Sequence, residues 1–279
     1  MACLGFRWLG AAGFEMVWED FHLAVDPFFS RPPRRYLFGG RPPPQDALAE
    51  RYLPACQAIL ISHAHYDHLM DAPSIALRTG AAVYGSANTC NLLAAMGVPQ
   101  RQIHLVSSGD RLEIGPFSTT VYPARHVWLP LFGPGKVEAP IRLPLRLRDY
   151  RMDDCLNFFF QAGDIRLLSW LGTQADPAPP ANVLLANPQN APAFFQDLLQ
   201  RVGPRLLIPI HWDDFTRSLQ ETVRPFYIPP RKGALLPRRL DLETWQREIQ
   251  AAFPAVQVYI PDIMAWGDLA QLLHAGSNR

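Results

Sequence analysis

The stretch Ala58-Ile59-Leu60-Ile61-Ser62-His63-Ala64-His65-Tyr66-Asp67-His68 joins a short apolar run to three histidines and an aspartate. The run 58–62 reads as a strand buried on both faces. His63 and His65 alternate where that strand ends, so both imidazoles leave on one side and converge on one point. Asp67 and His68 follow from the turn beyond it. Imidazole and carboxylate at this density are what a first-row metal ion needs from a protein.

Outward from the motif, a helix is expected over 73–79, with Pro73 in its first turn and Gly80 past its end. A strand over 82–85 follows, then a helix capped by Asn88 and stopped at Gly97. Strand and helix in alternation indicate α/β layering. Upstream, the segments 6–10, 14–18 and 22–28 carry the aromatic and β-branched residues of short strands. Downstream, Ser108-Gly109-Asp110, Gly115-Pro116 and Ala162-Gly163-Asp164 punctuate hairpins. A helix closed by Gly203-Pro204, a buried strand ending at His211, a helix over 242–253 and a strand over 256–260 complete the pattern. Two irregular insertions interrupt it, at about 31–45 and 127–151, and loops this long are usually functional. With no repeat and no linker boundary, one domain spanning 1–279 is expected.

The composition agrees. Of 279 residues 48% are hydrophobic and 18% charged, which supports a large core and excludes disorder as the main state. A formal net charge of +1 argues against a nucleic-acid binder, which needs a basic face to displace counterions. No stretch reaches the ~18 apolar residues of a membrane span. The first twenty residues lack a basic leader and read as a strand pair rather than a signal peptide. Cys3, Cys56, Cys90 and Cys155 form no C-x-x-C pair, as expected of reduced thiols in a cytoplasmic protein. All but Lys136 and Lys232 of the 26 basic residues are arginines. Proline, 28 residues in all, is about twice as frequent as the usual ~5%. Much of it falls in the insertions, at Pro32, Pro33 and Pro42–Pro44, and at Pro130, Pro134, Pro140 and Pro144.

The motif Ile61-Ser62-His63-Ala64-His65-Tyr66-Asp67-His68-Leu69-Met70-Asp71 resembles that of the metallo-β-lactamase superfamily, especially its lactonase-like and phospholipase-D-like branches. Further matches fall in order along the chain. They are the opening hairpins ending at Asp26-Pro27, His126 in Tyr122-Pro123-Ala124-Arg125-His126, and His211 in Ile210-His211-Trp212-Asp213-Asp214. The resemblance implies an α/β fold, a four-layer αββα sandwich. It implies His63, His65 and His126 as ligands of one metal ion and Asp67, His68 and His211 as ligands of a second. Asp26 would accept a hydrogen bond from a ligand imidazole and orient it. His22, His104 and His274 fall outside any motif and are expected to be structural.

The chain departs from the family in two places. The family's bridging carboxylate should follow the second hairpin, where Ser169-Trp170-Leu171-Gly172-Thr173 carries none. Asp164 lies at the wrong end of the strand and Asp176 comes late. The family's early Gly-His pair is Gly10-Ala11. Two dications that share no anionic bridge repel each other, so one tight ion and a second that is weak or absent are expected. These ligands suit zinc, with manganese and iron as alternatives.

The reaction implied is metal-assisted hydrolysis of a small-molecule ester, lactone or phosphodiester, with Asp67 accepting or orienting the proton of the attacking water. The alternative is a non-enzymatic or regulatory relative with a degraded, at most mononuclear, site. Arg125 and Trp212, each beside a ligand histidine, are candidate substrate contacts. Phe28, Phe29, Trp128, Leu129, Leu131 and Phe132 either form an apolar mouth or anchor loops on the core. Arg142, Arg146, Arg148 and Arg151 either clamp an anion or form a solvated edge. The oligomeric state is not legible.

Overall fold

The computed structural model describes residues 4–42, 46–127, 132–228 and 236–275. Cys3, Pro43, Pro44, Trp128, Leu129, Pro130, Leu131 and Lys232 lie outside these ranges. The chain opens with β1 (Leu4–Gly10), β2 (Gly13–Trp18) and β3 (Phe21–Val25), followed by α1 (Asp46–Tyr52) and β4 (Ala58–Leu60). Then come α2 (Tyr66–Leu69), α3 (Ala72–Thr79), β5 (Ala82–Gly85), α4 (Ala87–Ala95) and β6 (Ile103–Leu105). The next strands are β7 (Arg111–Ile114), β8 (Phe117–Pro123), β9 (Leu156–Ala162), β10 (Ile165–Trp170) and β11 (Val183–Ala186). After these lie α5 (Pro192–Val202), β12 (Leu206–Pro209), β13 (Tyr227–Ile228), β14 (Arg238–Arg239) and α6 (Leu242–Ala252). The chain closes with β15 (Gln257–Val258), β16 (Trp266–Asp268) and α7 (Leu269–Ala275).

Two seven-stranded mixed sheets result, in the orders β16-β1-β2-β3-β4-β5-β6 and β15-β12-β11-β10-β9-β8-β7. Phe14 and Leu60 of the first sheet share one buried cluster with Phe158, Phe160 and Ile208 of the second, which places that cluster between the sheets. A second cluster joins Ile59 and Val83 to Leu53, Ile75 and Leu92, packing the early helices on the outer face of the first sheet. A third joins Leu184 and Leu207 to Phe195, Leu198 and Trp245, packing α5 and α6 on the second. The four layers are therefore helix, sheet, sheet, helix. Each fully buried Leu or Phe side chain contributes about 1.5–3 kcal/mol, so this interior, rather than the loops, fixes how the sheets lie on each other.

The local chemistry explains where the elements stop. Gly80 and Gly203 take left-handed conformations, at φ 78° and 58°, and end α3 and α5 as expected. Gly10, at φ 92°, turns the chain between β1 and β2, and a Cβ there would strike the guanidinium of Arg31.

Three expectations are corrected. The cap of α4 is Ser86, whose hydroxyl accepts from the Thr89 amide, and not Asn88. Asn88 instead faces the second insertion: its amide group donates to Gly135 O and Arg151 O and accepts from Val137 N. The turn at Ser108-Gly109-Asp110 is not a hairpin, because β6 pairs with β5 in one sheet and β7 with β8 in the other. The chain changes sheets there. Lastly, the chain end forms β16 and α7, and β16 returns to pair with β1 at Gly5, Phe6 and Arg7. No helix among the described residues is long and apolar enough to cross a membrane.

Candidate metal centre

The ends of three strands from both sheets meet at one edge of the sandwich. His63 and His65 follow β4, Asp67 and His68 lie in the single turn of α2, His126 follows β8, and His211 follows β12. His211 adopts φ 60°, a strained value for a residue with a side chain, and is held there from both sides. Its amide donates to Ala11 O at 2.7 Å and its carbonyl accepts from Gln189 Nε2 at 2.7 Å. Two candidate ligand sets form: His63, His65 and His126 in one, Asp67, His68 and His211 in the other. Within each, one donor atom per residue lies within 4.8 Å of the others. The His63 and His68 rings, one from each set, have centroids 3.9 Å apart.

A buried chain of hydrogen bonds sets which imidazole nitrogens face inward. Asp26 accepts from Ser62 N at 2.7 Å, from Ser62 Oγ at 2.5 Å and from His68 Nδ1 at 2.8 Å. With its proton committed to Asp26, the Ser62 hydroxyl accepts from His63 Nδ1 at 3.1 Å. His126 Nδ1 donates to Val127 O at 2.6 Å. In His63, His68 and His126 the Nδ1 proton is thus spent on the protein, and Nε2 presents a lone pair. Asp26 thus lies in contact with both His68 and Ser62. Ser62, which the sequence suggested only as a strand end, connects it to His63.

The charge states follow from burial. Burial, followed by the neighbouring His68, holds His63 well below the usual imidazole value. Burial also takes His65 down to about 4. His126 and His211 are lowered for the same first reason. His68 is raised: burial opposes its charge, but the Asp26 and Asp67 carboxylates favour it more strongly. Asp67 is lowered, because His68 and His211 outweigh its burial.

These residues fit a divalent cation. His63 Nε2 and His65 Nδ1 lie 3.0 Å apart in a buried site, and the Nδ1 proton of His63 is already committed to Ser62. At that separation the two nitrogens can share either the His65 ring proton or a metal ion, and His65 Nε2 is buried with no hydrogen-bond partner among the described residues. In the second set, Asp67 Oδ2 stands 3.5 Å from His68 Nε2 and 3.6 Å from His211 Nε2, an opening wide enough for an ion.

A cavity of about 270 Å³ opens over both sets. Leu37, Val127, Phe132, Leu171, Phe215 and Phe226 supply its apolar wall, and no Arg or Lys lines it among the described residues. Arg125 is exposed and does not line the cavity. Trp212 turns away as well: it stacks on Trp8 with ring centroids 4.8 Å apart and is buried in the inter-sheet core. Phe28 and Phe29 are core residues, packed on Tyr66 and Tyr52. Of the apolar candidates in the second insertion, Phe132 lines the cavity. His22 bonds Glu15, His104 stacks on Tyr84, and both lie away from the centre. The cavity also holds residues that the sequence did not single out. Gln189 and Asn187 come from the loop after β11, and Cys155 from the residue before β9. A Pro/Asn/Gln cluster directly after a buried parallel strand was the available sign for the first two. For Cys155 no local sign existed: the pairing of β8 with β9 brings it beside Ala124, whose amide donates to Cys155 O at 2.8 Å.

Residues 22–146 match the beta-lactamase superfamily domain. A metal-dependent hydrolase of the UPF0173 group from Carboxydothermus hydrogenoformans is 35% identical over 130 residues, covering 47% of this chain and 50% of the relative. The chain spans about half the length of the curated relatives it matches. The metallo-beta-lactamase fold protein YhfI from Bacillus subtilis superposes with a TM-score of 0.58 at 13% identity, over 95% of this chain and 99% of that one. The chain has the metallo-β-lactamase fold. A second structure with similar architecture, the metallo hydrolase Igni18 from Ignicoccus hospitalis, superposes with a TM-score of 0.57 at 14% identity, covering 95% and 97% of the two chains. On this metallo-β-lactamase scaffold, Asp67 is the only carboxylate among the described residues lining the cavity. Leu171, directly after β10, forms part of the wall where a bridging carboxylate was expected. Asp164 lies before β10, in the hairpin turn, and Asp176 pairs with Arg201 on the surface, so neither lines the cavity.

Proposed function

We propose that the protein is a metal-dependent hydrolase of neutral ester-type bonds, carboxylic esters or lactones, in small molecules with an apolar body. The observation that carries this reading is the conjunction of two candidate ligand sets with an apolar cavity that offers no cation among the described residues. A phosphodiester would bring a negative charge into a wall whose described residues include no arginine or lysine, whereas a neutral acyl group packs against Phe132, Phe215 and Phe226. The name metal-dependent hydrolase carried by the relatives supports the reaction class.

His63, His65 and His126 would hold the tight ion, zinc by their chemistry, with manganese or iron as alternatives. A bound ion of this kind supplies Lewis acidity and lowers the pKa of water from 15.7 towards about 7. Asp67, kept ionised by its histidine neighbours, accepts at Oδ2 the hydrogen bond of the attacking water and then its proton. Ser62 and Asp26 hold the ligand tautomers throughout. The apolar wall excludes bulk water and orients the acyl portion. With Leu171 in the wall, Asp67, His68 and His211 make a weaker second site. The same substitution favours a second reading, a binding protein that holds a metal ion without turnover.

The test is a comparison of p-nitrophenyl butyrate, an acyl lactone and bis(p-nitrophenyl) phosphate on purified protein with and without chelator. Chelator-sensitive turnover of the ester or lactone, at least about tenfold over the phosphodiester, is expected. Preference for the phosphodiester overturns the substrate class. Full metal occupancy without turnover of any of the three supports the binding protein.

A further inference from the structure

A second cavity, of about 560 Å³, lies between α4 and the second insertion and has the opposite character to the metal cavity. Arg41, Lys136, Arg142, Arg146 and Arg151 line it, against two carboxylates, Glu138 and Asp149. The carboxylate of Asp149 is already engaged, accepting from the amide of Arg146 at 2.8 Å. Arginine ion pairs among the described residues involve Arg7, Arg31, Arg34, Arg201 and Arg217, and none of the five cations of this cavity takes part. Five cations against two carboxylates leave the lining with a positive excess, and an anion placed among the cations relieves their mutual repulsion.

The wall is held in place from beneath. Asn88 is almost fully buried and ties Gly135, Val137 and Arg151 together through its single amide group. Asp153 accepts from Ser86 Oγ at 2.6 Å and from Asn88 N at 2.8 Å, which fixes the start of α4 against the end of the insertion. The guanidinium of Arg41 is positioned by its Nε bond to Pro144 O at 2.6 Å. Leu92, Val137, Ile141 and Leu145 form an apolar floor continuous with the core of the first sheet's outer face. A cationic rim over an apolar floor, in a space within the range of small-molecule pockets, selects a ligand with both features.

We infer that this cavity is a binding site for an organic phosphate of nucleotide size, its phosphates on the Arg142 and Arg146 side and its body on the Leu92 floor. The site is separate from the metal centre, whose lining carries no cation among the described residues. It also gives a role to Arg142, Arg146 and Arg151 of the 142–151 segment, while Arg148 stays exposed outside the cavity.

Isothermal titration of the purified protein with ADP and with pyrophosphate tests the inference. Both probes are expected to bind saturably, ADP more tightly because it also covers the floor, and both more weakly as salt is raised. His65→Ala, which alters the metal centre, should leave the binding unchanged. Arg142→Ala/Arg146→Ala should weaken it at least about tenfold with an unchanged melting temperature, and Lys136→Ala should weaken it less. The inference is overturned by an absence of saturable binding at millimolar ligand, by loss of binding in His65→Ala, or by undiminished binding in the arginine double variant. Pyrophosphate binding more tightly than ADP overturns the role given to the floor.

Discussion

The Nδ1 of His68 lies 2.8 Å from Oδ2 of Asp26, with both side chains sealed from solvent. Asp26 also receives the amide and hydroxyl of Ser62, so a single carboxylate aligns residues on both sides of the centre. It does so from a backbone φ of 45°, a conformation that Asn tolerates as well as Asp.

Asp26→Asn should therefore fold but hold His68 with a weaker acceptor. The loss expected is about 10–100-fold in metal affinity at the Asp67/His68/His211 set, as for other partners of ligand histidines. Competition titration with a chromophoric chelator measures it. Unchanged affinity would show that Asp26 does not orient the ligand.

The two ligand sets should part company with pH. His68 titrates above the ordinary 6.5, so protons compete with metal at its ring from above that value downward. His65 stays neutral to about 4, and His63 lies well below 6.5, so the three-histidine set remains deprotonated through mild acid. Falling pH should release any second equivalent first, and the first equivalent only at lower pH. Metal content by elemental analysis after dialysis between pH 8 and 5 checks the order, and simultaneous release would contradict it.

As purified, the protein should retain one metal equivalent per chain after dialysis. Leu171→Asp places a carboxylate directly after β10 in the cavity wall, and should raise the retained content towards two equivalents at some loss of stability. Two tight equivalents in the unmodified protein would refute the weak second site.

Arg31 and Asp213 form a buried pair at 2.6 Å, and Asp213 Oδ1 also accepts from Ala11 N, whose carbonyl holds His211. Asp213→Ala leaves an unpaired buried guanidinium and should cost about 3–5 kcal/mol. Arg31→Met/Asp213→Ala should recover a large part of that. Urea unfolding of both variants measures the difference. Equal losses in the two would show that the charge pair is not the source.

Much of the candidate centre was legible because its histidines sit in short local motifs at strand ends, where alternation and buried runs are written in consecutive residues. His63, His65 and His68 needed only that. Arg125 and Trp212 show the limit. Both are neighbours of candidate ligand histidines in sequence, yet one is exposed to solvent and the other, after a left-handed residue at His211, stacks on Trp8 in the core. The sheet change at Ser108-Gly109-Asp110 and the return of β16 to β1 depend on long-range ladder partners, which no local pattern encodes. The same holds for Asn88, whose partners Gly135 and Arg151 lie 47 and 63 residues away.

The first ligand set takes two histidines from the strand end of one sheet and His126 from that of the other. An ion held there is a cross-link between the two halves of the sandwich, and its affinity is partly a measure of how well those halves are aligned. Metal should therefore raise the unfolding free energy by about 2.7 kcal/mol when its free concentration is a hundred times its dissociation constant. It follows that substitutions in the Phe14–Phe160 interface, remote from any ligand, should loosen metal binding through the altered seating of one sheet on the other.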